Sequence, residues 1–333
     1  MMTTGLHPSD PVVDAPKGLF THKLMSRAKS AGILIPFLIL FVVLSVSSGA
    51  FLHSGNLIDI LDQQAATLCM AAAGTLVLVG GGIDLSVGAT YGLSTVVAGQ
   101  IAAHHSPVLA VLAGIGVGLV VGVANGVIVT VFKINPLITT LAMLFVVGGV
   151  ALKVTGGNLI VLSQSSGFYQ FANAQFLTVP SAVWMTVAVV VILTFLLTRT
   201  TFGRYVVAAG GNAEAARLAG VRVNLIRVIT FALSGAAAGL GGVIDISRLL
   251  SAQAASGGAP LSFTILAGIV VGGTSIAGGE GSVWRTAIGV LFIALIGNGF
   301  DLLGVDPLYQ QIVLGLILLV AVGMDAWTRQ RRR

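Results

Sequence analysis

Charge is scarce in this chain. Of 333 residues, 17 are Lys or Arg and 11 are Asp or Glu, 8% in all. A soluble domain carries about 25% charged residues, so most of this surface is not built for water. Cysteine is scarcer still: Cys69 stands alone. An intrachain disulfide is therefore excluded, and Cys69, inside an apolar run, reads as a small buried hydrophobe. Catalytic signatures are missing too. The sequence has no His-Glu-x-x-His helix, no Gly-x-Ser-x-Gly elbow and no carboxylates paired at catalytic spacing. It has no Gly-x4-Gly-Lys-Ser/Thr loop, so this chain is not expected to cradle ATP phosphates itself. His104 and His105 have no Cys or carboxylate close by in sequence, which argues against a metal site.

Apolar sequence fills the space. Hydrophobic residues make up 56% of the chain, and mean hydropathy is +1.02. Runs of about 20 apolar residues recur, the length that crosses a hydrocarbon core as a helix. Each span must satisfy its own backbone hydrogen bonds, so an all-α polytopic membrane protein is expected. We read ten spans: 32–52, 57–79, 84–103, 107–131, 135–154, 181–198, 225–246, 261–277, 286–303 and 308–327. With both termini cytoplasmic, Lys133, Arg199, Arg204, Arg217, Arg222, Arg227, Arg285 and Arg329 fall inside. Only Lys153 and Arg248 fall outside. The net charge of +6 then reflects topology, not nucleic-acid binding. Residues 1–30 read as a polar cytoplasmic tail, with a short membrane-surface helix over 19–29, and not as a cleavable signal. Residues 31–327 form the transmembrane domain and 328–333 a basic tail. The segment 155–180 becomes an external loop, with Phe168, Tyr169 and Phe171 at an outer interface.

Glycine is plentiful, with 44 residues. Gly114, Gly118, Gly122 and Gly126 recur every four residues, as do Gly235 with Gly239 and Gly268 with Gly272. Such stripes let membrane helices approach closely. A faint internal echo also exists. Asn125-Gly126 precedes Asn135-Pro136-Leu137, and Asn298-Gly299 precedes Asp306-Pro307-Leu308, as an inverted repeat would.

The most polar stretch is the loop 199–224. Asn212 is placed to cap a short helix over Ala213–Ala219, and Gly220 to end it in a left-handed turn. An alanine-rich helix outside the membrane suits a partner's groove better than water. Asp84, after the Gly80-Gly81-Gly82 break, reads as a helix cap or as a pathway carboxylate, roles that are compatible. Ser86 is a second candidate cap. Glu280 and Arg285 read as a local pair or as a second partner contact. Asp245 and Arg248 either meet an external partner or simply flank the span.

Glu214-Ala215-Ala216, three residues and Gly220 resemble the coupling-loop signature of permeases in ATP-binding cassette importers. The longer string Gly203-Arg204, Gly210-Gly211-Asn212, Ala215-Ala216 and Gly220-Val221 is similar to the ribose/xylose/galactose branch. So are Gly81-Gly82-Ile83-Asp84-Leu85-Ser86-Val87-Gly88 and Gly272-Gly273-Thr274-Ser275 with Gly278-Gly279-Glu280-Gly281-Ser282. The likeness covers about residues 30–327. One departure is the missing Ile-x-Leu-Pro element, replaced by Thr230-Phe231-Ala232-Leu233.

The resemblance implies a bacterial inner-membrane permease with no cofactor of its own. ATP and Mg would sit on a cytoplasmic ATPase partner. A periplasmic or extracellular binding protein would deliver a small sugar, and a second permease chain would complete the path. Gly210, Gly211, Asn212, Glu214, Ala215, Ala216, Arg217 and Gly220 would then couple to the ATPase. Asp84, Ser86, Asn125, Thr274, Ser275 and Asn298 are the pathway candidates. The alternative is an ion-coupled secondary transporter, which usually carries mid-span acidic groups. Here the carboxylates cluster near predicted span ends.

Overall fold

The structure, a computed structural model, describes residues 32–163, 167–306 and 308–330, with side chains as far as 323 in the last segment. The expected tail 1–30 with its surface helix lies outside the described residues, as do Pro307 and Arg331–Arg333. Helices dominate: α1 (Leu34–Ser47), α2 (Ser54–Gln63), α3 (Ala65–Val79), α4 (Val87–His104), α5 (Pro107–Val131), α6 (Pro136–Thr155) and α7 (Tyr169–Asn173). They continue with α8 (Ser181–Arg199), α9 (Thr201–Gly211), α10 (Ala213–Leu218), α11 (Val223–Leu249), α12 (Gly258–Val271), α13 (Val283–Leu303) and α14 (Leu308–Gln330). Five of them, α5, α6, α8, α11 and α13, are long and apolar enough to cross a membrane. α1, α3, α12 and the Leu308–Gly323 part of α14 are shorter apolar helices.

Several expected spans change shape. The run 57–79 is two helices, because α2 stops at Gln63 and α3 restarts at Ala65. The expected 261–277 span is the 14-residue α12, which stops at Val271 before Gly272-Gly273. The start expected at residue 84 moves to Val87, since residues 81–86 form a loop. α4 is less apolar than a lipid-facing helix because 12 of its 18 residues are buried in protein, Tyr91, Ser94 and Thr95 included. Packing, not lipid, surrounds it.

α11 is the central element. In its most apolar window 67% of residues are buried, against 22–28% in the other four long helices, which turn most of their apolar surface outward. It packs against α3, α4 and α5. The glycine stripes make this possible. A Cβ on Gly118 would strike the Gly235 carbonyl, and one on Gly126 would meet the Val228 Cα at 2.7 Å. Backbones in such contact gain dispersion energy that lipid cannot replace. Gly268 and Gly272 do the same for α12 against α13.

The neighbour pattern has a twofold character. α11 packs on α4 and α5, and α3 packs on α12 and α13; α4 touches α5 and α6, and α12 touches α13 and α14. Exchanging α3–α6 with α11–α14 leaves these pairings unchanged. The faint sequence echo falls on equivalent places. Asn135 Oδ1 accepts from the Leu137 N–H (2.9 Å) ahead of α6, and Asp306 Oδ1 accepts from the Leu308 N–H (2.9 Å) ahead of α14.

The segment 155–180 is more structured than a polar loop. Ile160–Val161 pairs antiparallel with Ser251–Ala252, and Gln175–Phe176 with Val179–Pro180. Phe168 is fully buried against Ala98, Ala110, Val243 and Ile246, not at an interface. Its burial holds the segment down on α4, α5 and α11.

Candidate coupling helix and polar path

α9 and α10 project as a helical knob between α8 and α11. Thr200 caps α9 by accepting from the Gly203 N–H at 3.2 Å. Asn212 Oδ1 caps α10, accepting from the N–H groups of Glu214 (3.1 Å) and Ala215 (3.0 Å). At the other end the Gly220 N–H donates to Arg217 O (2.9 Å) and the Val221 N–H to Ala216 O (3.0 Å). This is a Schellman closure, and its left-handed residue is Gly220, φ 84. Both ends of the expected short helix are thus in place. Ala216 faces inward among Leu197, Val206, Val223 and Ile226. Glu214, Ala215, Arg217 and Leu218 face outward, and Leu218 is 83% exposed. The Arg217–Glu214 pair (3.2 Å) is on the surface and contributes about 0–1 kcal/mol.

The knob meets the bundle through apolar side chains, Val206 and Ala209 packing with Leu76 and Val79 of α3, and through a glycine contact beside them. The Gly279 N–H donates to the Val79 carbonyl at 2.8 Å, where α3 ends. A Cβ on Gly210 would strike that same carbonyl and lie 2.8 Å from Gly279 N. One on Gly278 would be 2.9 Å from the Gly81 Cα, and one on Gly279 would be 2.8 Å from the Gly211 Cα. Gly278 and Gly279 are left-handed (φ 84 and 76), which only glycine adopts freely. Three motif segments, around 81, 210 and 278, therefore converge at one point. Thr274 and Ser275 shape this junction. The Ser275 N–H donates to Glu280 O (2.9 Å) and the Gly278 N–H to Ser275 O (3.1 Å), closing the turn between α12 and α13.

Asp84, Ser86 and Asn125 come together in a second cluster. Asp84 Oδ1 accepts from the Ser86 N–H (3.0 Å) and hydroxyl (2.6 Å), and Oδ2 accepts from the Ser234 hydroxyl (2.8 Å). The Asn125 amide donates to Ser86 Oγ at 2.7 Å. Ser262 Oγ donates to Leu85 O (2.7 Å) and Thr140 Oγ1 to Ile83 O (3.1 Å). The loop 83–86 is thereby tied to α5, α6, α11 and α12. Asp84 borders a cavity of about 20 Å³, room for one water molecule.

Asn298 lies elsewhere. It exchanges amide hydrogen bonds with Asn56, at 2.8 and 3.3 Å. It also lines a cleft of about 790 Å³ between α2, α12, α13 and α14. Gln63, Gln64, Asp301, Gln310 and Gln311 share that lining. Sequence reading missed these amides because they flank helix ends and carry no motif. The pathway candidates are thus divided among the Asp84 cluster, the glycine junction and the cleft.

Asp245 and Arg248 find their partners inside the protein. Arg248 lies 3.4 Å from Asp245 and 3.4 Å from Asp62, and the Tyr91 hydroxyl donates to Asp245 at 2.6 Å. These charges are about one-sixth exposed and join α2, α4 and α11. Among the described residues, His, Cys, Asp and Glu form no group of three that could hold a metal ion.

Comparison with known proteins puts the chain among membrane transport permeases. It belongs to the permease-component family of branched-chain amino acid transport systems, which matches residues 56–322. Its relatives include the ribose import permease protein RbsC of Bacillus subtilis (strain 168), 41% identical over 295 residues, 87% of this chain and 91% of that one. RbsC of Escherichia coli (strain K12) is 37% identical over 310 residues, 92% and 95% of the two chains. The L-arabinose ABC transporter permease protein AraH of Azospirillum brasilense is 36% identical over 305 residues, 91% and 89%. No solved structure matches the chain.

Proposed function

We propose that this chain is the membrane permease of an ATP-binding cassette importer for a monosaccharide or related small polyol. The observation that carries this reading is its identity to ribose and arabinose permeases over most of both chains. The family's description names branched-chain amino acids, but the cleft chemistry favours a neutral polyol. Its polar lining is mainly amide, able both to donate and to accept. It offers one carboxylate, Asp301, and no Lys or Arg to meet a zwitterion.

In this reading ten spans cross a bacterial inner membrane with both termini cytoplasmic, as the bias of Lys and Arg supports. Two permease chains enclose the path, each contributing its cleft. A binding protein delivers sugar at the outer face. A separate ATPase, which carries ATP and Mg, grips α10 from the cytoplasm. Its closure rocks the helices in alternating access. The outward residues of α10, Glu214, Ala215, Arg217 and Leu218, form the grip. Gly210 and Gly211 pass its motion to the junction.

Copurification tests this. The tagged chain, expressed with its native neighbours and extracted in mild detergent, should bring down a soluble ATPase. Glu214→Lys and Gly220→Val should lose that subunit and sugar uptake, while the chain stays in the membrane. Glu214→Lys should shift stability by less than about 1 kcal/mol, because it removes only a surface pair. A chain that purifies alone and transports on an ion gradient after ATP depletion would instead be a secondary transporter.

A further inference from the structure

A separate pocket of about 530 Å³ opens at the α5–α6 turn. Its polar lining is Thr130, Lys133, Asn135, Arg217, Asn224 and Arg227. Three cations thus converge from the α5–α6 turn, from α10 and from the start of α11. Like charges repel, and a half-buried guanidinium gives up part of its hydration. Arg217 is paired with Glu214 at 3.2 Å, but the other two cations are not offset in this way. Arg227 Nε is buried without a hydrogen-bond partner. Among the described residues, no carboxylate lies within ion-pair distance of Lys133 or Arg227. Lys133 also holds φ 54, a left-handed backbone that a lysine enters only at a cost.

Ile134 lines the pocket, and further apolar residues neighbour its lining in sequence. Phe132, Ile134, Leu137, Ile138 and Leu225 flank the cations and are all exposed. Cations in a recess beside outward apolar side chains match an amphiphile with an anionic head. We propose that this pocket binds the phosphate headgroup of an anionic phospholipid of the inner leaflet, its acyl chains lying along the apolar flank. Free phosphate would satisfy the cations but would leave the flank unused. A carboxylate from a soluble partner would do the same. The bound headgroup bridges the α5–α6 turn to Arg217 of α10, so lipid composition would act on the knob. The inference goes beyond the transport reading and needs only a bilayer with an anionic leaflet, to which basic residues are drawn.

The test uses the full chain in phosphatidylcholine nanodiscs with a trace of headgroup-photoactivatable phosphatidylglycerol. Adducts should concentrate on residues 129–136 and 224–227. Unlabelled phosphatidylglycerol should displace them, and added phosphatidylcholine should not. Lys133→Gln and Arg227→Gln should each cut adducts at this site about fivefold, with labelling elsewhere unchanged. Arg227→Lys should retain them. Uniform labelling around the perimeter would overturn the proposal. So would inorganic phosphate displacing the probe where phosphatidylglycerol does not, or displacement only by an added ATPase subunit. If a glutamine variant fails to fold, the wild-type competition decides alone.

Discussion

Asp84 is the residue whose charge and geometry can be separated most cleanly. Its three bonds to Ser86 and Ser234 can all be kept by an amide, because a hydroxyl can accept as well as donate. Asp84→Asn should therefore leave thermal stability within about 1 kcal/mol yet lower uptake, measured with labelled sugar in vesicles. Unchanged uptake would reduce Asp84 to a loop anchor. Asp84→Ala should cost about 1–3 kcal/mol, since the Ser86 N–H then loses its acceptor. Residue-scale chemistry was legible in the sequence where it is local. Asn212 and Gly220 cap α10 as their spacing foretold, because capping involves groups two to five residues apart. Asp62 and Arg248, 186 positions apart, carry no local signal of their pairing.

Elements were legible where lipid imposes a simple rule and obscure where protein replaces lipid. The runs behind α5, α6 and α8 face outward over most of their surface, and hydropathy finds them. α4 is enclosed by α5, α6, α11 and α12, so it carries polar side chains such as Tyr91, whose hydroxyl reaches Asp245 of α11, and its apolarity is diluted. The break at Gln64 carries no Gly or Pro to mark it, so α2 and α3 read as one run although α2 holds Asp59 and Asp62. The Asp62–Arg248–Asp245–Tyr91 network now explains what holds α2 in place after that break. Arg248→Ala should destabilise the protein by about 3 kcal/mol, the low end for a buried pair given its partial exposure. Adding Asp62→Asn and Asp245→Asn should recover part of the loss. A thermal-unfolding cycle checks this; fully additive losses would mean that the charges do not interact.

At the scale of the whole molecule, the bundle is two similar sets of four helices with α3 and α11 at their contact. The knob is attached where α3 ends and where α12 turns into α13. Gly210→Val should destabilise the protein by about 1–3 kcal/mol, because its side chain would have to displace the Val79 carbonyl. It should also abolish uptake even in variants rescued for folding, read by fluorescence thermal shift and by vesicle transport in parallel. Full uptake at reduced stability would mean that the contact is only packing. This convergence was not legible in advance. Each glycine motif stood out alone, but nothing in the spacing of 81, 210 and 278 says that they touch.

The junction has a mechanical consequence. At glycines 81, 210, 211, 278 and 279, where α9 meets the end of α3 and the α12–α13 turn, main chain lies against main chain with no side chain between. Rotamers are the soft degrees of freedom of a protein interior, and a joint without them has little compliance. A push on the knob is passed at this contact with little give, while Val206, Ala209 and Ala216 pack softer side chains beside it. The same stiffness leaves the joint intolerant of even one added methyl group, so the part that transmits force best is the part least able to absorb change.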